Sequence, residues 1–231
     1  LVNTVNNSVE QTKKRINSAG ESEEYNHSFS NFNFIAPFYN FLQRLIFGNH
    51  LQKAQSFFLN EIKPSSTVLI IGGGSGEIIS SIFQVSIPEK VVFVEQSSKM
   101  IELAKPKVKN NKVEFVCSDI LDWDNDEKFD VIVLPFILDC FSTDMVVQVL
   151  QKMKLNLREK GSILFTDFVV TPRKFSFSKF LIFAMYFFFK VTAKLKVSEL
   201  PDFDLAFQMA GFKLVKKNSF VRGTLEAKVY R

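Results

Sequence analysis

Apolar positions change their period along this chain. From Phe29 to Ile62 aromatics and leucines recur at helical spacing, as in Phe38, Phe41, Leu42, Leu45 and Ile46, which predicts helices laid before any sheet. Pro64 with Ser65 and Ser66 ends that section. Beyond it, short β-branched runs stand at Thr67–Ile71, Val91–Val94, Val113–Val116, Val131–Leu134 and Ser162–Phe168, and the intervals are long enough for helices. Strand–helix alternation of this kind predicts an α/β fold: a doubly wound, mostly parallel sheet with helices on both faces. After Pro172 come a Phe-rich segment, a helix around Asp202 to Ala210, and two strand-like runs at Phe212–Lys216 and Leu225–Tyr230. The last two are close enough to pair as a hairpin, giving the sheet an antiparallel C-terminal edge.

The first 28 residues are rich in Asn, Ser, Glu and Lys and have little apolar periodicity, so they read as a flexible N-terminal arm ahead of a domain spanning 29–231. At 231 residues the chain suits one large domain. Its 27 Phe against one Trp and four Tyr exceed what a core of this size requires. The surplus lines an apolar pocket, faces a membrane, or is compositional drift. The net charge of +5 invites an anionic partner, but the lysines are scattered and form no basic run, so a nucleic-acid partner is not expected. Cys117 and Cys140 are too few to staple a fold and read as reduced thiols, which places the chain in the cytoplasm. His27 and His50 lie apart with no neighbouring ligand pattern, so no metal site is expected.

The decisive stretch is Val68-Leu69-Ile70-Ile71-Gly72-Gly73-Gly74-Ser75-Gly76-Glu77, an apolar strand running into a turn with four glycines. Glycine there removes the Cβ that would keep a ligand from the main chain, and the next helix turns its free N–H groups toward the same spot. The dinucleotide pattern G-x-G-x-x-G fails because its third glycine falls on Glu77. A phosphate-cradling loop fails for want of Gly-Lys-Ser/Thr. What fits is G-x-G-x-G at Gly72, Gly74 and Gly76. The second strand ends on Glu95, nineteen residues after Gly76, at the carboxyl end where ligands gather in doubly wound sheets. A carboxylate at that point can accept hydrogen bonds from two ribose hydroxyls.

With these residues in view, VLIIGGGSGE, VVFVEQSSKMIELAK, VEFVCSDIL and FDVIVLPFILDCF resemble the successive motifs of class I S-adenosylmethionine-dependent methyltransferases, a Rossmann-like family. The resemblance implies S-adenosyl-L-methionine as cofactor. It assigns the methionine part to Gly72, Gly73, Gly74 and Gly76, the ribose to Glu95 with Gln96, and adenine to Asp119, with Ser97, Met100, Ile120 and Leu134 flanking the adenosyl group. One departure is Ile70, which stands where many members carry an acid. Asn33-Phe34-Ile35-Ala36-Pro37-Phe38-Tyr39-Asn40 and Leu200-Pro201-Asp202-Phe203 through Ala210-Gly211-Phe212 resemble segments of the ubiquinone and menaquinone biosynthesis methyltransferases, with Asn40 replacing the usual acid.

That family implies methyl transfer to a lipophilic or aromatic small molecule. Position nominates Tyr39 and Asp139 as bases for an acceptor that must lose a proton. The apolar stretch over 170–200 is read as an acceptor lid. Within it Phe180 to Phe189, flanked by Lys179 and Lys190, either lines the acceptor pocket and dips into a membrane interface, or forms a buried helix or dimer contact. Two competing readings are a noncatalytic cofactor-binding module and, with less support, a nucleic-acid methyltransferase. Against the latter, Leu134-Pro135-Phe136-Ile137 stands where amino-methylating DNA enzymes carry Asn/Asp-Pro-Pro-Tyr/Phe. The acceptor atom and the oligomeric state stay open at this level.

Overall fold

Side chains of a strand alternate between faces, so a strand buried on both sides must be apolar throughout. Strand β1 (Thr67–Ile71) is such a strand: all five residues are buried. The computed structural model describes residues 49–109, 111–169 and 200–231, and β1 lies at its centre. The arm over 1–28, the Asn33–Asn40 segment with Tyr39, and residues 170–199 of the expected lid lie outside the described residues.

In chain order the elements are helix α1 (His50–Ser56), β1, helix α2 (Glu77–Val85), strand β2 (Lys90–Glu95), helix α3 (Ser98–Ala104) and strand β3 (Val113–Cys117). Strand β4 (Phe129–Pro135), helix α4 (Thr143–Asn156), strand β5 (Leu157–Phe168), helix α5 (Phe203–Met209), strand β6 (Leu214–Phe220) and strand β7 (Leu225–Tyr230) follow. They form one seven-stranded sheet of order β3-β2-β1-β4-β5-β7-β6. The pairings from β3 to β5 are parallel, whereas β7 pairs antiparallel with both β5 and β6. The reversal therefore resides in β7, which slots between β5 and the edge strand. The expected edge run begins two residues later than its apolar pattern indicated, at Leu214, and extends to Phe220.

Period-2 alternation divides the core into two layers. Val68 and Ile70 of β1 join Val91, Phe93, Val131 and Val133 under Ile78, Ile79 and Ile82 of α2 and Ile101 and Ala104 of α3. Leu69 and Ile71 face the opposite way, with Val92, Val94, Ile132 and Leu134, against Val146, Leu150 and Met153 of α4 and Phe203 and Phe207 of α5. The α4 residues recur at intervals of three and four, the stripe an amphipathic helix needs to bury one face. Ser97, Ser142 and Asp202 cap α3, α4 and α5, each accepting a backbone N–H three residues on. Ile70 is fully buried in the first layer, so the departure from the family's acid is filled by packing. Among the described residues no helix is long and apolar enough to cross a membrane.

Strand β7 also carries a charge into the interior. Lys228 is 1% exposed, and its Nζ meets Asp204 Oδ1 at 2.6 Å and Glu226 Oε2 at 2.8 Å. The Tyr230 hydroxyl donates to the same Asp204 oxygen at 3.0 Å, and its ring stacks on Phe207 with centroids 3.7 Å apart. Removing the lysine takes away one of the two cations that flank Glu226, whose Oε1 keeps Lys217 at 2.7 Å. Lys228→Met is expected to lower unfolding free energy by about 2 kcal/mol in urea titration, since charge-assisted hydrogen bonds are lost on the buried side. Lys90→Met, which breaks the exposed pairs with Glu114 and Glu127, is expected to cost less than about 1 kcal/mol.

Candidate functional site

The glycine turn continues the sheet rather than departing from it. The Gly72 N–H donates to the Val94 carbonyl at 2.9 Å, extending the β1–β2 ladder by one rung. This pins the turn beside the end of β2, where Glu95 stands. Its carboxylate reaches across: Oε2 accepts the Gly74 N–H at 3.1 Å and Oε1 accepts the Ser97 N–H at 3.0 Å. Glu95 is half-buried, and burial pushes its carboxyl above the usual range while the backbone donors pull it back.

The four glycines serve different needs. A Cβ on Gly72 would sit 2.6 Å from Ile137, one on Gly73 2.3 Å from the Phe93 ring, and one on Gly76 2.6 Å from Ala104. These three let neighbours close in. Among the described residues a Cβ on Gly74 would meet nothing within 4 Å, although its φ of +56° already favours glycine. Open space therefore faces the main chain at the one glycine tied to Glu95. Lys107 braces the outer side, its Nζ contacting the Ser75 carbonyl at 2.5 Å and Glu77 at 2.7 Å.

The other expected cofactor residues gather along the carboxyl ends of β2 and β3. Gln96 Nε2 donates to Asp119 Oδ2 at 3.0 Å, and Asp119 Oδ1 accepts the Leu121 N–H at 2.8 Å. The side chain of Asp119 is thus fixed on the loop after β3. Ser97 spends its hydroxyl on the Met100 N–H, and Met100 and Ile120 are buried with only 5% and 6% exposure. Leu134 is fully buried, so its side chain supports the site from within the core.

Beyond β4 the chain bends sharply. Phe136 has φ of +54°, an uncommon conformation for an aromatic residue, and its N–H donates to the Thr166 carbonyl. The short helical turn Leu138–Cys140 follows and carries Asp139. Facing it from β5 is Asp167, fully buried. Asp167 Oδ2 accepts the N–H groups of Leu138 at 3.1 Å and Asp139 at 3.2 Å, and Oδ1 accepts the Phe168 N–H at 2.8 Å. Desolvation pushes Asp139 up to about 6; desolvation and then the Asp139 charge push Asp167 well above the carboxylate range. The Cys140 thiol, 3.5 Å from Asp139 Oδ1, is pushed up by burial and by the charges of Asp139, Asp167 and Glu95.

Sequence reasoning placed Asp167 inside a strand and assigned it no role; a lone acid in the apolar run Ser162–Phe168 was the available signal. Lys107 was also missed, because nothing in its local pattern ties it to the glycine turn.

Comparison with known proteins agrees with this geometry. Residues 68–161 match the family model described as Methyltransferase domain. A malonyl-[acyl-carrier protein] O-methyltransferase of Priestia megaterium is 30% identical over 117 residues, which cover 51% of this chain and 40% of that protein. The match thus spans well under half the length of this curated relative. Among solved structures, the mitomycin 7-O-methyltransferase MmcR superposes with a TM-score of 0.65 at 15% identity, covering 97% of this chain and 67% of that one. DhpI in complex with SAH gives 0.63 at 15% identity, covering 88% and 94%. At such identities the likeness speaks for the fold. Sheet order, bare turn and family match together show a methyltransferase domain over residues 68–161, on the fold shared with these solved methyltransferases.

Proposed function

We propose that this chain transfers a methyl group from S-adenosylmethionine to a lipophilic or aromatic small molecule, and that the acceptor atom is oxygen. The observation that carries the reading is the open space at Gly74 beside the Glu95 carboxylate. A sulfonium nucleoside has an amino-acid tail that needs bare main chain and a ribose that needs a carboxylate. The two stand one hydrogen bond apart. The names of the malonyl-[acyl-carrier protein] and mitomycin relatives both specify O-methylation, which supports oxygen.

The reaction asks the protein mainly for alignment. The acceptor's lone pair forms the new bond to the methyl carbon as the sulfur–methyl bond breaks, its electron pair returning to sulfur. Holding the partners in line supplies most of the acceleration, with effective molarities of roughly 10⁵ M or more. Met100, Ile120 and Leu134 exclude water behind the adenosyl group. Asp139 and Tyr39 remain the base candidates, and the 170–200 stretch is assigned to cover the acceptor and to touch the membrane peripherally. Free Cys117 and Cys140 suit a reducing compartment, and we assign the chain to the cytoplasm. The absence of a recognition motif after β4 keeps the substrate small rather than a nucleic acid.

Calorimetry with S-adenosylhomocysteine tests the cofactor half. Wild type is expected to bind, Gly74→Leu to lose at least tenfold in affinity, and Glu95→Gln to lose a similar factor. Gly73→Ala is the contrasting change: it must displace the Phe93 ring and is expected to cost about 1–3 kcal/mol of stability. Unchanged uptake by both Gly74→Leu and Glu95→Gln would overturn the reading. For the base, tritium transfer to an identified acceptor is expected to fall at least tenfold in Asp139→Asn. Full turnover in both Asp139→Asn and Tyr39→Phe would remove both from that role.

A further inference from the structure

An ammonium group holds the glycine turn from its outer side. Gly73 to Gly76 form a tight turn closed by the Gly76 N–H, which donates to the Gly73 carbonyl at 3.1 Å. The same peptide unit carries the Ser75 carbonyl, which accepts from Lys107 Nζ at 2.5 Å. Both sides of the Ser75–Gly76 peptide are therefore tied, one within the turn and one to a residue 32 positions on. Lys107 Nζ also meets Glu77 Oε1 at 2.7 Å, and Glu77 Oε2 accepts the Ser75 hydroxyl at 2.7 Å. Lysine, serine and glutamate thus close a ring across the start of α2.

The lysine reaches that spot by way of α3. Ser97, which caps this helix, donates its N–H to Glu95 Oε1 at 3.0 Å, and at the far end Ala104 stands 2.6 Å from where a Cβ on Gly76 would be. The helical turn Lys105–Lys107 continues the segment, with Pro106 fixing the backbone φ just ahead of Lys107. The stretch from Ser97 to Lys107 therefore links the end of β2 to the glycine turn along a path separate from the Gly74–Glu95 hydrogen bond.

A turn made of glycines has a wide choice of conformations, and a ligand that needs one of them bears the cost of selecting it. Gly74 and Gly76 both hold positive φ, +56° and +82°. A charge-assisted bond to the Ser75 carbonyl between them narrows the choice before any ligand arrives. As a contribution to stability the Lys107–Glu77 pair counts for little, because its side chains are 33% and 50% exposed. Its effect falls on the turn. The ammonium also offsets the Glu77 charge, which otherwise stands in the first turn of α2, where a helix draws an incoming carboxylate.

Resting on the cofactor reading above, we propose that Lys107 is a positioning residue for the amino-acid tail of S-adenosylmethionine. By fixing the Ser75 carbonyl and balancing Glu77, it keeps the open side of Gly74 shaped for the tail. It acts through the main chain of the turn, takes no part in methyl transfer and does nothing for the nucleoside, which is the business of Glu95 at the other end of α3.

The test divides the ligand. Calorimetry on the full chain compares S-adenosylhomocysteine, which carries the tail, with methylthioadenosine, which has the same nucleoside and a thioether but no tail. Lys107→Met is expected to weaken S-adenosylhomocysteine roughly tenfold and methylthioadenosine by less than about twofold. A loss for methylthioadenosine as large as that for S-adenosylhomocysteine, which general loosening of the fold would give, overturns the positioning role, and so does no loss for S-adenosylhomocysteine. A second measurement needs no ligand: in the free protein, hydrogen exchange at the Gly76 amide is expected to be about tenfold faster in Lys107→Met, while the Leu69 and Ile70 amides of β1 keep their wild-type rates. Unchanged exchange at Gly76, or equal acceleration at all three amides, overturns the clamp, and this result decides where methylthioadenosine binds too weakly to measure. Should Lys107→Met not fold, Lys107→Gln is read in the same two ways. A wild type that takes up neither ligand sinks the cofactor reading itself, an outcome distinct from a Lys107→Met that binds as wild type does.

Discussion

One hydrogen bond, from the Gly74 amide to the Glu95 carboxylate, joins the glycine turn to the end of β2, the two halves of the proposed ligand site, and the surrounding structure is arranged so that it can form. The donor is main chain, so it can lie that close only where no side chain intervenes. The acceptor is an anion drawn into a half-buried position at the end of a buried strand, which is tolerable because two backbone amides meet it. The parallel pairing of β1 with β2 brings Ile71 opposite Val94 and so fixes the strand ends side by side. Register in the sheet thereby becomes geometry at the site.

The turn also shows why four glycines occur within five residues. Three are demanded by neighbours, Ile137 after β4, Phe93 on β2 and Ala104 on α3, each from a different element. The turn is thus held by contacts on three sides, and its shape does not depend on its own short sequence. Of the four, only Gly74 faces open space among the described residues. A motif that reads in the sequence as one undifferentiated cradle is physically three packing positions and one position left open, and the same substitution has different consequences at each.

Most of the scaffold was legible because two-sided burial leaves a plain mark: runs such as Thr67–Ile71 and Val131–Leu134 are apolar at every position, and the intervals between them accommodate helices. The ends of β5 and β6 were not legible. Arg158 to Lys160 are polar and exposed and fall in the register shift between Leu157 and Ser162, while Leu214 to Phe220 lie on an edge where burial imposes no alternation. The positions of Glu95, at the end of β2, and Asp119, two residues past β3, could be read from the strand pattern and the motifs. Asp167, Lys107 and Lys228 owe their roles to partners 28 to 32 residues away or to burial that tertiary packing alone creates. Nothing local distinguishes Lys228 from the surface lysines around it.

Asp167 shows what such burial implies for the balance between stability and activity. A strand end under α4 and α5 would be more stable with an apolar residue there, since a buried carboxyl pushed well above the carboxylate range, by desolvation and then by the Asp139 charge, weakens the fold as pH rises. Its three backbone hydrogen bonds offset part of that cost by closing the tight turn after the strained Phe136, a turn whose amides would otherwise be left without partners away from water. The same residue therefore anchors the bend, and burial of the turn it anchors pushes the Asp139 carboxyl up to about 6. An isosteric amide could not anchor it as well, because one of its two ends would present N–H groups to N–H groups. An acid in an otherwise apolar strand follows from the three amides it has to meet.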